Sequence, residues 1–256
     1  MAASFTLAAR LRAGETVHSG WCALGAPLVA ELIARAGFGA VTLDQQHGLY
    51  TMDSTAAGIA AVHMAGAAPL VRVPLGDVAV VSRVLDFGAE GVISPMINTA
   101  ADARAFAAAA KYPPIGERSF GPLRALILNN MEGSDYVKQA NDIVVTIAMV
   151  ETRQALDNLD AILATPGIDA VFLGPSDLSL ALTEGKTLDP HSGEVNAAID
   201  RIGAAAKKAG KVAGAYAASA ERANELAARG FRFLGIASDT AFVRAGTAAT
   251  WKALKR

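Results

Sequence analysis

Two carboxylates, an arginine and a histidine carry the chemistry this sequence can do. Glu151 follows the β-prone run Val144–Val150, and Asp177 follows Ala170–Leu173 in Leu173-Gly174-Pro175-Ser176-Asp177. His47 follows Ala40–Leu43 in Asp44-Gln45-Gln46-His47-Gly48, and Arg72 lies in Pro69–Val73. Two carboxylate ligands with open positions suit a hard divalent ion such as Mg2+ or Mn2+, which takes its remaining ligands from water and substrate. A 2-oxo acid offers two such oxygens, and the ion can polarise the ketone and stabilise an enolate. Each residue alone also has a structural reading. Glu151 can be a helix first-turn acid, Asp177 a loop acid or cap, His47 a packed or exposed histidine, Arg72 a buried ion-pair partner and Asp86 a solvated helix acid. Their joint position at strand ends favours a site.

That position depends on the elements. Apolar runs at Ser19–Leu24, Ala40–Leu43, Pro69–Val73, Gly91–Ser94, Val144–Val150, Ala170–Leu173, Val212–Ala215 and Phe233–Ile236 read as strands. Helical stretches are expected at Pro27–Ala36, Ser54–Ala65, Val78–Phe87, Ala100–Ala110, Arg153–Ala164, Glu194–Ala209, Ala220–Ala228 and Asp239–Leu254. Eight such alternations predict an α/β fold, a single (β/α)8 TIM barrel over residues 1–256, whose chemistry sits where strands end. The alternative, a doubly wound open sheet, would favour a Gly-x-Gly-x-x-Gly fingerprint after an early strand, and none is present. Tyr112–Asn141 and Leu182–Ser192 read as long irregular connections.

Composition fits this picture. Hydrophobic residues make up 52% of the 256, yet no window holds the roughly 20 unbroken apolar residues of a membrane span, so the excess belongs in buried strands. The charge balance of −1 and the absence of a basic run argue against nucleic acid, and a lone cysteine, Cys22, excludes internal disulfides and thiolate metal clusters. Residues 1–10 lack the basic start and apolar core of a signal peptide, so a cytoplasmic location is expected. A Schiff-base aldolase needs a lysine projecting from a strand; Lys111, Lys138, Lys186, Lys207, Lys208, Lys211, Lys252 and Lys255 all lie elsewhere, which favours metal-dependent enolate chemistry.

At these residues the sequence resembles the HpcH/HpaI aldolase family of metal-dependent 2-oxo-acid aldolases. The matching segments include Asp44-Gln45-Gln46-His47-Gly48, Val71-Arg72-Val73-Pro74, Leu85-Asp86-Phe87-Gly88-Ala89, Lys111-Tyr112-Pro113-Pro114-Ile115-Gly116-Glu117-Arg118-Ser119, Glu151-Thr152-Arg153-Gln154-Ala155 and Gly167 through Ser179. The resemblance implies Glu151 and Asp177 as ligands of Mg2+, Mn2+ or Co2+. It implies His47 as proton acceptor, Asp86 raising its basicity (across a subunit boundary in one arrangement), and Arg72 holding the enolate oxygen. Gly174, Pro175, Ser176 and Asp177 join Arg72 in binding substrate, with backbone N–H groups near Ser176 and Asp177 on its carboxylate. The family fold is a (β/α)8 barrel, usually a homohexamer built as a trimer of dimers. Two positions depart from the heptanedioate aldolases: Met149 stands where they have Gln, and Gln46 where they have Glu. A thioether cannot donate a hydrogen bond, so hydroxypyruvate or a sugar acid is as plausible a substrate as the heptanedioate. The expected activity is reversible cleavage of 4-hydroxy-2-oxo acids into pyruvate or hydroxypyruvate and an aldehyde. The alternatives are a citrate-lyase-like acyl-CoA ester lyase and a barrel that only binds a 2-oxo acid.

Overall fold

The computed structural model describes residues 5–254. Eight parallel strands close into a barrel in sequence order: β1 (Val17–Cys22), β2 (Ala40–Asp44), β3 (Ala68–Arg72), β4 (Gly91–Ser94), β5 (Val145–Val150), β6 (Ala170–Leu173), β7 (Val212–Ala217) and β8 (Phe233–Ile236). The helices in chain order are α1 (Leu7–Arg12), α2 (Pro27–Arg35), α3 (Met52–Met64), α4 (Val78–Asp86), α5 (Ala100–Ala110), α6 (Leu123–Asn129) and α7 (Gly133–Ile143). Then follow α8 (Arg153–Asp157), α9 (Leu159–Leu163), α10 (Pro175–Leu182), α11 (Gly193–Lys208), α12 (Ala220–Ala228) and α13 (Asp239–Ala253). Among the described residues no helix is long and apolar enough to cross a membrane.

The period-2 alternation of side chains sorts each strand between two cores. Val17, Ala40, Leu70, Ile147, Phe172 and Phe233 point inward and pack together. Val41, Val71, Val92, Val150, Val171 and Leu234 point outward into the layer beneath the helices. Burial on both sides explains the near-continuous apolar runs and the high hydrophobic fraction. The same alternation continues to the strand ends, so 17, 19, 21 on β1 and 40, 42, 44 on β2 share the interior. It therefore lifts Trp21, Asp44, Arg72 and Met149 to the upper rim of the barrel. Gly235 makes room for Trp21: a Cβ there would stand 2.8 Å from the indole.

The barrel base is closed by α1, whose Leu7, Ala8 and Leu11 are buried in the inner core. Lys111 anchors the base beyond α5, with Nζ donating to Asn141 O (2.8 Å), Val144 O (2.6 Å) and Asp169 Oδ2 (2.8 Å). Among the described residues no lysine lies on a strand; Lys255 is outside them.

Some boundaries differ from the sequence-based expectation. β1 begins at Val17, which pairs with Phe233, and stops at Cys22 because Asp239 Oδ2 takes the next two amides, Ala23 and Leu24, at 2.9 and 2.8 Å. The expected helix Arg153–Ala164 breaks at Asn158, whose side chain donates to Asn98 O at 2.9 Å. Tyr112–Asn141 is not irregular throughout. It holds α6 and α7, which bury Ala125, Tyr136 and Ala140 against Tyr112 as a small separate core.

Candidate active site

A cavity of about 270 Å³ opens at the upper rim, lined by Trp21, Asp44, Arg72, Met149, Phe172, Gly174 to Asp177, and Tyr216, with Ser238 and Thr240 at its edge. A larger cleft of about 850 Å³ lies at the opposite end. Two of its basic side chains serve helix C-termini: Lys207 in the last turn of α11, and Arg229 at the end of α12, paired with Asp200 and Glu225.

Glu151 sits one residue beyond β5 and is buried. Its Oε1 accepts from Met96 N at 2.9 Å, while its Oε2 is buried with no partner among the described residues. A Cβ at position 174 would stand 2.2 Å from that Oε2, so glycine is required for the carboxylate to occupy this place. Burial pushes the Glu151 carboxyl up to about 7, and Asp177 nearby adds to the rise, against the Met96 amide and Arg72. An orphaned, reluctantly charged oxygen beside a second carboxylate is a donor set that a divalent cation would complete. The two carboxylates stand without a third His, Cys, Asp or Glu positioned to join them among the described residues, so further ligands would come from water or substrate.

Asp177 is exposed, in the first turn of α10 rather than on a strand end. That helix opens on Gly174, which has no side chain to cap it, and on Pro175, which has no N–H. The amides of Ser176 and Asp177 therefore remain available to an anion at the cavity floor.

Arg72 is the most firmly held group in the cavity. Asp44 is its partner in the β2–β3 register, and the two form a bidentate pair, Nε to Oδ1 at 2.9 Å and Nη2 to Oδ2 at 2.6 Å. The guanidinium lies 5.0 Å from the Trp21 ring centre, and Trp21 Nε1 donates to Asp44 at 3.2 Å. Nη1 is left without a protein acceptor among the described residues, so the arginine is both an ion-pair partner and a donor to the cavity. Burial pushes the Asp44 carboxyl up, but Arg72 outweighs it, and the net shift is downward.

His47 does not line the cavity. It is exposed on the loop after β2, whose turn is fixed by Asp44 Oδ1 accepting from Gln46 N (3.0 Å) and His47 N (3.3 Å). Asp86 ends α4, where Arg118 Nη2 donates to it at 2.7 Å; no hydrogen bond or ion pair joins it to His47 within the described chain. The structure thus gathers Arg72 and Gly174 to Asp177 around one cavity, sets Glu151 directly against Gly174, leaves His47 off the lining on the loop after β2 and keeps Asp86 apart. Asp44, Trp21 and Tyr216 were missing from the sequence-based set. Asp44 was findable: like Arg72 it closes an adjacent strand with inward parity, and a buried arginine demands a carboxylate.

The barrel rim presents a fixed guanidinium, unsatisfied helix amides and a half-satisfied carboxylate close together. The model of the HpcH/HpaI aldolase/citrate lyase family matches residues 19–245, and the chain belongs to this family. A hydroxypyruvate/pyruvate aldolase of Rhizorhabdus wittichii is 40% identical over 91% of both chains. A 2-keto-3-deoxy-L-rhamnonate aldolase of Shigella sonnei is 35% identical over 90% of this chain and 86% of its own. A solved structure of a family protein from Burkholderia cenocepacia superposes with a TM-score of 0.89 at 31% identity, covering 97% of this chain and 98% of that one. The chain is accordingly a carbon–carbon lyase of the aldolase type.

Proposed function

We propose that the protein reversibly cleaves 4-hydroxy-2-oxo acids into pyruvate or hydroxypyruvate and an aldehyde, acting as one cytoplasmic catalytic domain in a homo-oligomer, a hexamer by family resemblance. The observation that carries this reading is Glu151 Oε2, buried and unpartnered beside Asp177. Glu151 and Asp177 would hold a divalent cation, Mg2+, Mn2+ or Co2+. When bound, the cation supplies a Lewis acid for the 2-oxo group.

The amides of Ser176 and Asp177 take the substrate carboxylate. Arg72 Nη1 reaches the 2-oxo oxygen, and its charge stabilises the enolate that forms there. Because Asp44 fixes the guanidinium beforehand, little reorganisation is needed as charge develops. His47, on the loop after β2 and off the cavity lining, accepts the C4 hydroxyl proton through a bridging water. The C3–C4 bond then breaks, the aldehyde leaves, and its electron pair passes into the enolate, which is protonated at C3. Any support that Asp86 gives His47 would come from a second copy of the chain, since within one chain it is held by Arg118. Trp21, Phe172 and Tyr216 form an aromatic wall, with Trp21 5.8 Å from Phe172 and 5.7 Å from Tyr216 between ring centres. This wall excludes water from the enolate.

The test is release of pyruvate or hydroxypyruvate from 4-hydroxy-2-oxo acids, run after EDTA treatment and again with Mg2+, Mn2+ or Co2+. Activity is expected to vanish with EDTA and return with one of the ions; full activity in EDTA would overturn the metal reading. Arg72→Ala is expected to abolish both cleavage and C3 proton exchange of pyruvate while Mn2+ still binds. Retained exchange would remove Arg72 from the enolate step. A CoA-thioester arm separates aldol from acyl-CoA chemistry.

A further inference from the structure

The cleft at the barrel base has a volume of about 850 Å³ against about 270 Å³ for the cavity at the rim, and the two share no lining residue. Small-molecule sites commonly span about 300–1,000 Å³. The cations on the cleft wall are Arg12, Lys207, Lys211, Arg229 and Arg232, against the carboxylates Asp142, Asp169 and Asp200. Helix C-termini gather at this end of a barrel and attract cations on that ground alone. Such capping, with ion pairing, accounts for only part of the set. Arg12 Nη1 donates to Asp142 O at 2.7 Å in the last turn of α7, beside the exposed Asp142 carboxylate. Arg229 is paired with Asp200 at 2.7 Å. Asp169 is already held by Lys111, which does not line the cleft, at 2.8 Å.

Lys207, Lys211 and Arg232 are left without a carboxylate among the described residues. Lys207 Nζ bonds to no protein atom there, although its charge favours the end of α11. Lys211 Nζ donates once, to Ile168 O at 2.7 Å. Arg232 uses Nη1 alone, on Ala227 O at 3.0 Å, Phe231 O at 3.1 Å and Thr16 Oγ1 at 3.5 Å. Its Nε–Nη2 edge has no acceptor among the described residues; Arg72 presents the same edge to Asp44. That edge carries two parallel N–H groups and matches two oxygens of one phosphate. Between the cations the wall is apolar, with Leu11 of α1, Val144, Val145 and Val212. Gly210 and Gly230 keep it open, since a Cβ at either would meet nothing within 4 Å.

We propose that this cleft binds a phosphate-bearing organic polyanion. Lys207, Lys211 and the free edge of Arg232 take the phosphates, and the organic body lies on the apolar wall. Three cations without counter-charges call for a ligand with more than one negative charge, and the apolar wall calls for more than a bare ion. Leu11 lines the cleft and also belongs to the inner core, so a bound ligand holds α1 against the barrel and stabilises the fold.

The metal-free full chain is titrated calorimetrically at low salt with ADP and with inorganic triphosphate, and its Tm is followed with each. ADP is expected to bind and to raise Tm. Lys207→Glu and Arg232→Gln should each weaken it by about ten-fold or more, while aldol cleavage stays at the wild-type rate. Lys186→Glu, away from the cleft, and Arg72→Ala, at the rim, should leave ADP affinity unchanged. Failure of both probes to bind at millimolar concentration overturns the site. An equal loss in Lys186→Glu reduces the binding to general charge, and a loss in Arg72→Ala alone moves it to the rim; either result overturns the proposal. Triphosphate binding as tightly as ADP overturns the role of the apolar wall. Lys207 bonds to nothing in the folded chain, so its variant decides the matter should Arg232→Gln fail to fold.

Discussion

Two glutamates sit in nearly identical burial at opposite ends of the barrel. Glu90 at the base and Glu151 at the rim are each 2% exposed, and burial pushes each carboxyl up to about 7. The difference lies in what each receives. Glu90 Oε2 accepts from Leu7 N at 2.8 Å, the Thr6 amide also bonds the carboxylate, and Arg10 adds an attractive charge. Glu151 receives one amide, leaves an oxygen orphaned and faces a second carboxylate. Burial and a raised pKa are thus common to both, and it is the unsatisfied acceptor that sets Glu151 apart from Glu90. The buried cations repeat the contrast: Lys111 at the base has three acceptors, whereas Arg72 at the rim has no acceptor for Nη1 among the described residues.

The sharpest way to break this comparison is to neutralise each glutamate in turn. Glu151→Gln is expected to lower kcat/KM for aldol cleavage by about 10³-fold or more. It should abolish Mn2+ binding while leaving the fold intact. Glu90→Gln still offers an oxygen to the Leu7 amide and should keep activity within a few-fold of wild type. Comparable losses in pyruvate release from both variants would show that burial alone, not the open oxygen, governs the effect.

Lys111→Met probes the satisfied end of the barrel. It removes the donor shared by two carbonyls and Asp169, which should cost about 3 kcal/mol of stability by urea denaturation. Asp169 is partly exposed, so water relieves part of its loss. Activity per folded molecule should stay near wild type, because the residue lies a barrel length from the cavity. A large fall in kcat with unchanged stability would contradict its placement as an anchor.

The shared pKa direction also predicts how stability follows pH. A carboxyl raised above its unfolded value keeps its proton in the folded state while the unfolded chain has lost it. Between about 4.5 and 7 the folded state therefore binds more protons, and stability falls as pH rises. The slope is at most about 1.4 kcal/mol per pH unit for each group, levelling above about 7. Urea midpoints measured from pH 5 to 8 should show this decline. Glu90→Gln should remove one group's share, and Mn2+ should flatten only the share belonging to Glu151. A Mn2+ effect that survives in Glu151→Gln would place the ion elsewhere.

Much of this was legible in the residues alone. The eight strands could be read because a parallel barrel buries both faces of each strand, which is what a sustained apolar run such as Val144–Val150 requires. Glu151, Arg72 and the Gly174–Asp177 turn could be placed because chemistry gathers where such strands end. What escaped depends on three-dimensional pairing. The Asp44–Arg72 pair is set by the register of β2 against β3, which no local pattern records. Within the chain Asp86 is paired with Arg118, thirty-two residues on, a contact that no local pattern records. Helices α6 and α7 were hidden because Gly121, Pro122 and Gly133 punctuate a stretch whose buried residues form a small cluster of their own beside the main core.

The smallest expected effect concerns the residue that sets this rim apart in composition. Met149 is buried at the β5 end and lines the cavity, and its Cε would lie 3.2 Å from a Cβ at position 174. A thioether there offers bulk and polarisability but no N–H, so a donor's extra hydroxyl gains nothing from it. Met149→Gln keeps roughly the volume and adds an amide that can hydrogen-bond such a hydroxyl or the 2-oxo oxygen. The ratio of kcat/KM for hydroxypyruvate over pyruvate, with one aldehyde held fixed, should shift by about ten-fold or less, in the range that one hydrogen bond supplies. Glu151 keeps its carboxylate in that variant, so Mn2+ affinity should not move. If the ratio stays constant while Mn2+ binding weakens, residue 149 packs the carboxylate rather than reading the substrate, and the contrast between base and rim narrows to the single open oxygen of Glu151.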